Sequence, residues 1–151
     1  MRRAPLPAAV RFGRGICGTL EQAERREWLL ANGRGAYAAG TVAGTLTRRY
    51  HGLLTAVARP PLGRALLLAK ADATIRDDET GIPLFTNRWT SGALAPCGYI
   101  EIETFALDGR MPVWVFARGT LRVEQRIWLE HDQDRVYVAW RLLPGCESNT
   151  A

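Results

Sequence analysis

One lysine, two histidines and three cysteines in 151 residues leave little material for nucleophilic, redox or metal chemistry. Cys17, Cys97 and Cys146 lie far apart and form no Cys-x-x-Cys pair, which removes the usual zinc and dithiol signatures. Isolated reduced thiols in a cytosolic protein are the expectation. His51 and His131 are the only imidazoles, and the chain has no nucleophile-elbow serine, no His-Glu-x-x-His and no phosphate loop. No catalytic triad can be assembled and ligands for a metal are few, so neither a metal nor a cofactor is expected. Long apolar runs are missing too. The longest uncharged stretch, residues 35–47, is rich in Gly, Ala and Thr and far short of a membrane span. Pro5 and Pro7 interrupt an N-terminal apolar stretch already too short for a signal-peptide core. A soluble, cytoplasmic protein without a membrane partner is predicted.

The scarcity of lysine also qualifies the net charge of +5. All 20 basic residues except Lys70 are arginine, and only Arg2–Arg3, Arg25–Arg26 and Arg48–Arg49 are adjacent. With abundant Ala and Gly, this skew reflects a GC-rich coding sequence more than a basic surface. A nucleic-acid footprint needs a patch or stripe of positive charge with interleaved aromatics, so no nucleic-acid partner is expected.

What the chain does contain is ordinary globular composition, 47% apolar and 23% charged, in a length suited to one domain. A capping-box pattern, Thr19 followed by Gln22, predicts one short N-terminal helix that ends near Glu27, with Leu20, Ala23 and Trp28 inward. From Trp28 onward the pattern is β. Strands are predicted over Arg49–Val57, Ala65–Ile75 and Gly98–Leu107. Asp108-Gly109 joins Tyr99–Leu107 to Met111–Ala117 in a hairpin with the signature of a type I′ turn. Leu121, Val123, Ile127 and Leu129 then alternate with Arg122, Glu124, Arg126 and Glu130, with Gln125 breaking the apolar face and Trp128 the polar one. Val136, Val138, Trp140 and Leu142 share a side of the last strand, which assigns Trp140 to the core and leaves Trp128 and Trp89 as the more exposed indoles. The fold class is mainly β, an antiparallel β-sandwich.

Two motifs dissolve on inspection. Gly33-Arg34-Gly35-Ala36-Tyr37-Ala38 matches G-x-G-x-x-A, but no helix-forming segment follows and no acidic residue stands about twenty positions on. Its glycines instead suit positive φ in a loop. Glycosidases use two carboxyl groups that flank the scissile bond. Glu101 and Glu103 read as a solvated strand face, and Glu130-His131-Asp132 as hairpin-end residues. No catalytic residue is therefore assigned. One cluster remains, Thr47-Arg48-Arg49-Tyr50-His51-Gly52, where alternation sets Arg49 and His51 on one strand face and Arg48 and Tyr50 on the other.

That cluster belongs to a longer colinear series. Glu27-Trp28-Leu29-Leu30-Ala31-Asn32-Gly33, Gly40-Thr41-Val42-Ala43-Gly44 and Thr47–Leu54 come first. Pro61-Leu62-Gly63-Arg64, Leu67–Lys70, Thr86-Asn87-Arg88 and Pro96-Cys97-Gly98-Tyr99 follow. Phe105–Gly109, Pro112-Val113-Trp114 and Arg126–His131 complete it. The series closely resembles the N-terminal domain of bacterial and archaeal glycogen-debranching enzymes of the amylo-α-1,6-glucosidase type. The chain departs from the family at Arg34 and Ala36, where a hydrophobic residue and Gly are typical.

The resemblance implies a glucoamylase-like supersandwich, here incomplete. In the family it precedes an (α/α)₆ catalytic barrel that holds both catalytic carboxylates and hydrolyses α-1,6 linkages with inversion. It implies residues 1–11 as a disordered or extended N-terminus, 12–143 as the sandwich and 144–151 as a truncated tail. The implied function is that of an accessory domain for a parent acting on glycogen or branched dextrin, inactive alone. Its partners are the barrel of the same chain and the α-glucan. Asn32, Arg48, Arg49, Tyr50 and His51 are the candidate substrate-binding or domain-interface residues. The alternative is a free-standing α-glucan-binding or interaction module, in which exposed tryptophans supply sugar platforms.

Overall fold

Alternating apolar residues and tight glycine turns carry most of the chain into antiparallel strands. A computed structural model describes residues 10–59, 63–76 and 80–144. In order the elements are β1 (Val10–Gly13), α1 (Arg14–Cys17), α2 (Leu20–Glu24), β2 (Glu27–Ala31), β3 (Tyr37–Thr41), β4 (Gly52–Arg59) and β5 (Gly63–Leu68). There follow β6 (Thr74–Arg76), β7 (Gly81–Pro83), β8 (Thr86–Arg88), β9 (Leu94–Cys97), a 3₁₀ turn (Gly98–Glu101), β10 (Ile102–Asp108), β11 (Met111–Arg118), β12 (Leu121–Leu129) and β13 (Val136–Leu143). Strands β1-β10-β11-β12-β13 form one sheet and β2-β3-β4-β5 a second, with the small ladders β6-β7 and β8-β9 beside them. The sheets are open and antiparallel throughout. This is the expected mainly-β sandwich.

The two main sheets pack face to face. Trp28, Leu30, Ala38 and Leu53 from one sheet meet Phe105, Trp114, Phe116, Val123 and Ile127 from the other in a single core. Trp114 sits at its centre, edge-on to Trp28 at 5.6 Å and to Phe105 at 5.0 Å, and donates its indole N–H to the Val42 carbonyl at 2.9 Å. Such edge-to-face pairs add to the burial of the rings, and the hydrogen bond satisfies the indole's one polar atom. On the outer face of the larger sheet, Arg122 pairs with Glu103, Arg126 with Asp108 and Glu124, and Arg141 with Glu124. The alternation read along β12 is thus reproduced: Val123 and Ile127 are buried, while Arg122, Glu124 and Arg126 hold the outward ladder.

Several local expectations change. The helix starts where predicted, but Thr19 does not cap it through its side chain; its hydroxyl donates to the Gly15 carbonyl at 3.0 Å, across an extra turn, α1. Gln22 accepts from Arg26, which lies over the Phe12 ring. The strand predicted over Ala65–Ile75 is two strands, β5 and β6, separated by residues 69–73, and the one over Gly98–Leu107 begins only at Ile102 because a 3₁₀ turn comes first. Glu101 therefore does not share a strand face with Glu103. It is buried and paired with Arg118 instead of solvated. In the β10–β11 hairpin Asp108 pairs with Met111, so the turn residues are Gly109 and Arg110. Only Gly109 has positive φ, 63°, the type II′ pattern in place of type I′.

Trp140 is 40% exposed. It faces inward on β13, but β13 is the edge of the five-stranded sheet, and the core stops at Val136 and Val138. Trp89 is more exposed still, at 56%, whereas Trp128 is half-buried and stacked on Tyr137. Val10 and Arg11, at the end of the expected N-terminal segment, pair with Leu107 and Ala106. Cys17 and Cys97 are free thiols; Cys146 lies outside the described residues. Among the described residues no helix is long and apolar enough to cross a membrane.

Candidate functional site

Arg48, Arg49, Tyr50 and His51 come together at the entry to β4, in a turn and not in a strand. The His51 N–H donates to the Arg48 carbonyl at 3.0 Å, and β4 begins only at Gly52. Strand alternation therefore does not apply to them. The turn lets Arg48, Arg49 and Tyr50 stand in solvent while His51 drops beneath. Three contacts hold this arrangement. The Thr47 N–H donates to His51 Nδ1 at 3.1 Å, Tyr50 stands edge-on to the imidazole at 5.5 Å, and Arg48 Nε donates to Glu27 at the start of β2. Behind the turn, Thr41 donates to the Thr45 carbonyl, and Thr45 donates to Glu24 of α2 at 2.8 Å. Glu24 in turn accepts a two-pronged pair from Arg88 of β8.

The carboxylates around the turn are all engaged. Glu21 pairs with Arg25, Glu24 with Arg88 and Glu27 with Arg48. They border an open groove of about 430 Å³ together with Thr47 and Arg48. Such a groove supplies carboxylate acceptors and two ion-paired guanidiniums, Arg25 and Arg48, not a free acid beside a free base. Arg49, by contrast, has no ion pair among the described residues, and Tyr50 presents half its surface.

His51 is buried on all sides, with Nε2 3.6 Å from Glu27 Oε1 and without a hydrogen bond. Because Nδ1 accepts from Thr47, the neutral ring carries its proton on Nε2. Burial pushes the imidazole pKa down; Glu27 opposes this only in part. The unfolded chain thus binds the proton more readily than the folded one. Stability contributed by neutral His51 is complete above the ordinary imidazole value of about 6.5 and declines as pH falls below it. Melting temperatures measured between pH 8 and 5 should show this decline, and His51→Gln should flatten it; an unchanged slope in the variant would assign the pH dependence to other groups.

Asn32 is not part of this cluster. It follows β2 at the end away from Glu27, roughly 16 Å along the strand at 3.3 Å per residue. Its buried carboxamide ties two loops together. Nδ2 donates to the Gln133 carbonyl at 3.0 Å and to Asp134 at 3.1 Å, while Oδ1 accepts the N–H groups of Arg34 and Ala36 at 2.8 and 3.0 Å. Gly33 and Gly35 have φ of 87° and 96°, so the glycines act as loop formers in this segment, as expected, and β3 follows in place of a helix. Ala36 is fully buried against Leu54 and Ala56. Glu130, His131 and Asp132 sit at the β12–β13 hairpin end, also as expected, with His131 exposed above Gly33.

Sequence reasoning missed Glu24, Glu27, Thr45 and Arg88, whose side chains position the turn. The one available signal was chemical: a carboxylate at either end of the α2–β2 segment, facing the arginine-rich turn.

Together, the two-sheet architecture and a polar turn anchored on Glu24 and Glu27 define an antiparallel sandwich domain that presents a polar turn at its surface. The glycogen debranching enzyme N-terminal family matches residues 26–150, and the chain belongs to that family. Comparison with curated proteins and with solved structures returned no match.

Proposed function

We propose that this chain is the accessory sandwich of a glycogen-debranching α-1,6-glucosidase, packing on an (α/α)₆ catalytic barrel and shaping its sugar entrance. The observation that carries the reading is the turn of Arg48, Arg49 and Tyr50, held rigid from below yet open to solvent, in a chain of this family. Arg49 offers guanidinium donors to glucose hydroxyls, and Tyr50 offers an apolar face for a sugar ring. Arg48 and His51 set the turn against β2. Asn32 serves the same domain from the opposite end, as the residue that shapes its loop. The catalytic acid and base belong to the barrel, and none is assigned to this chain.

In an enzyme that carries both domains, Arg49→Ala should lower kcat/KM on a branched dextrin by about tenfold, the value of one charged hydrogen bond, and leave Tm unchanged. Unaltered kinetics would return the turn to a purely structural role. The second reading, a free-standing α-glucan-binding module, is favoured by Trp89. Its exposed indole is fixed by a 2.9 Å hydrogen bond to the Ala95 carbonyl, as a stacking platform needs to be. Glycogen retention by the chain without any barrel, lost in Trp89→Ala, would select it.

A further inference from the structure

Beyond Asn32, at the end of the sandwich away from the polar turn, the β2–β3 loop and the β12–β13 hairpin enclose an open cleft of about 580 Å³. Its walls include Arg34, Gly35, Val57, Arg64, Asp132 and Asp134. We propose that this cleft is a binding site for a neutral polyhydroxylated ligand, a short α-linked glucosaccharide of one or two sugar units. The choice of an α-glucan among polyols rests on the debranching reading; the site itself does not.

Charge comes first. Arg135 is neutralised by Glu130 at 3.0 Å, but neither Arg34 nor Arg64 has an ion pair among the described residues. The guanidiniums of Arg34 and Arg64 are thus matched by the carboxylates of Asp132 and Asp134, with no formal excess. A phosphate or other dianion would meet Asp132 and Asp134 as well as the arginines. A sugar diol would not be repelled, because each hydroxyl both donates and accepts. The guanidiniums supply donors and the carboxylates supply acceptors.

Rigidity is the second support. Arg34 donates to the Asp132 carbonyl at 3.2 Å and Arg64 to the Gly35 carbonyl at 3.4 Å, which leaves their remaining N–H groups for a ligand. The loops that hold these partners are joined at Asn32 and by the Asp132 N–H donating to the Asn32 carbonyl at 2.8 Å. Asp132 itself has φ of 59°, a conformation uncommon outside glycine that needs a supporting structure. Gly35 keeps the floor low: a Cβ there would come 2.9 Å from Val57 Cγ2. The volume lies within the range of small-ligand sites.

Calorimetric titration of the 151-residue chain with maltotriose, and separately with inorganic phosphate, tests the site. Saturable binding of maltotriose is expected, weakened at least tenfold in Arg34→Ala and in Arg64→Gln, and unaltered in Arg110→Ala, an exposed position in the β10–β11 turn. Melting curves matching the parent would show both cleft variants folded, as their exposed positions lead one to expect. Three results would each overturn the proposal: maltotriose binding retained in both cleft variants, saturation by phosphate alone, or no binding of either probe. Loss of binding in Arg49→Ala, with both cleft variants unaffected, would place the sugar at the polar turn and overturn the cleft alone. An enzyme whose kinetics ignore Arg49 would remove the turn from the sugar entrance and leave the cleft standing.

Discussion

Gly98→Ala is expected to abolish stable folding of the chain, with a loss of about 4 kcal/mol or more. A Cβ at Gly98 would lie 2.4 Å from the Phe85 carbonyl oxygen, 2.6 Å from the Phe85 nitrogen and 2.7 Å from the Pro83 carbonyl oxygen. All three are backbone atoms, so no side chain can rotate away, and relief requires the 83–85 segment and the 3₁₀ turn to separate. That separation would break the Gly98 N–H bond to the Phe85 carbonyl at 2.9 Å and strain the Tyr99 N–H bond to Thr86 at 2.8 Å. Gly15→Ala provides the contrast, because a Cβ there meets nothing within 4 Å. Chemical denaturation of both variants checks the argument; a Gly98→Ala protein as stable as Gly15→Ala would refute the close backbone packing.

The second large effect is expected at Asn32. Asn32→Ala removes four side-chain hydrogen bonds and strands the N–H groups of Arg34 and Ala36, the latter buried. At about 1–3 kcal/mol for each buried donor left unsatisfied, a total near 3 kcal/mol follows. For a chain of this length that corresponds to a fall in Tm of about 10 °C. Asn32→Asp separates the two halves of the carboxamide. It retains the acceptor for both N–H groups but replaces the donor to Asp134 with a like charge. Its stability should fall between parent and Asn32→Ala and recover in part when Asp134→Asn is added. Equal losses for Asn32→Ala and Asn32→Asp would show that the loop N–H groups do not depend on the Asn32 oxygen.

These two residues mark how far the sequence could be read. Alternation along β12 and the glycine between β10 and β11 place strands and hairpin with little ambiguity, because each depends on neighbours two to four positions away. Asn32 could be singled out only through the family resemblance, and its partners are 101 and 102 residues distant. Nothing local announces them. The same holds for the polar turn. Arg48, Arg49, Tyr50 and His51 were visible as a dense cluster, but a strand was the natural reading of β-prone residues before Gly52. The turn exists because Glu27 and the Thr41–Thr45–Glu24–Arg88 chain of hydrogen bonds anchor its two sides.

The sequence by itself determined a mainly-β, antiparallel domain of the debranching-enzyme N-terminal family, since periodicity and turn chemistry are short-range properties and the family series is colinear. Only the tertiary structure decided which faces are covered and which polar groups are paired. Trp140 alternates as a core residue yet lies at an edge that the facing sheet leaves exposed, and Glu101 reads as a surface carboxylate yet is buried against Arg118. Burial and pairing depend on strand order and on which loops meet at each end of the sandwich, and those are properties of the folded chain as a whole.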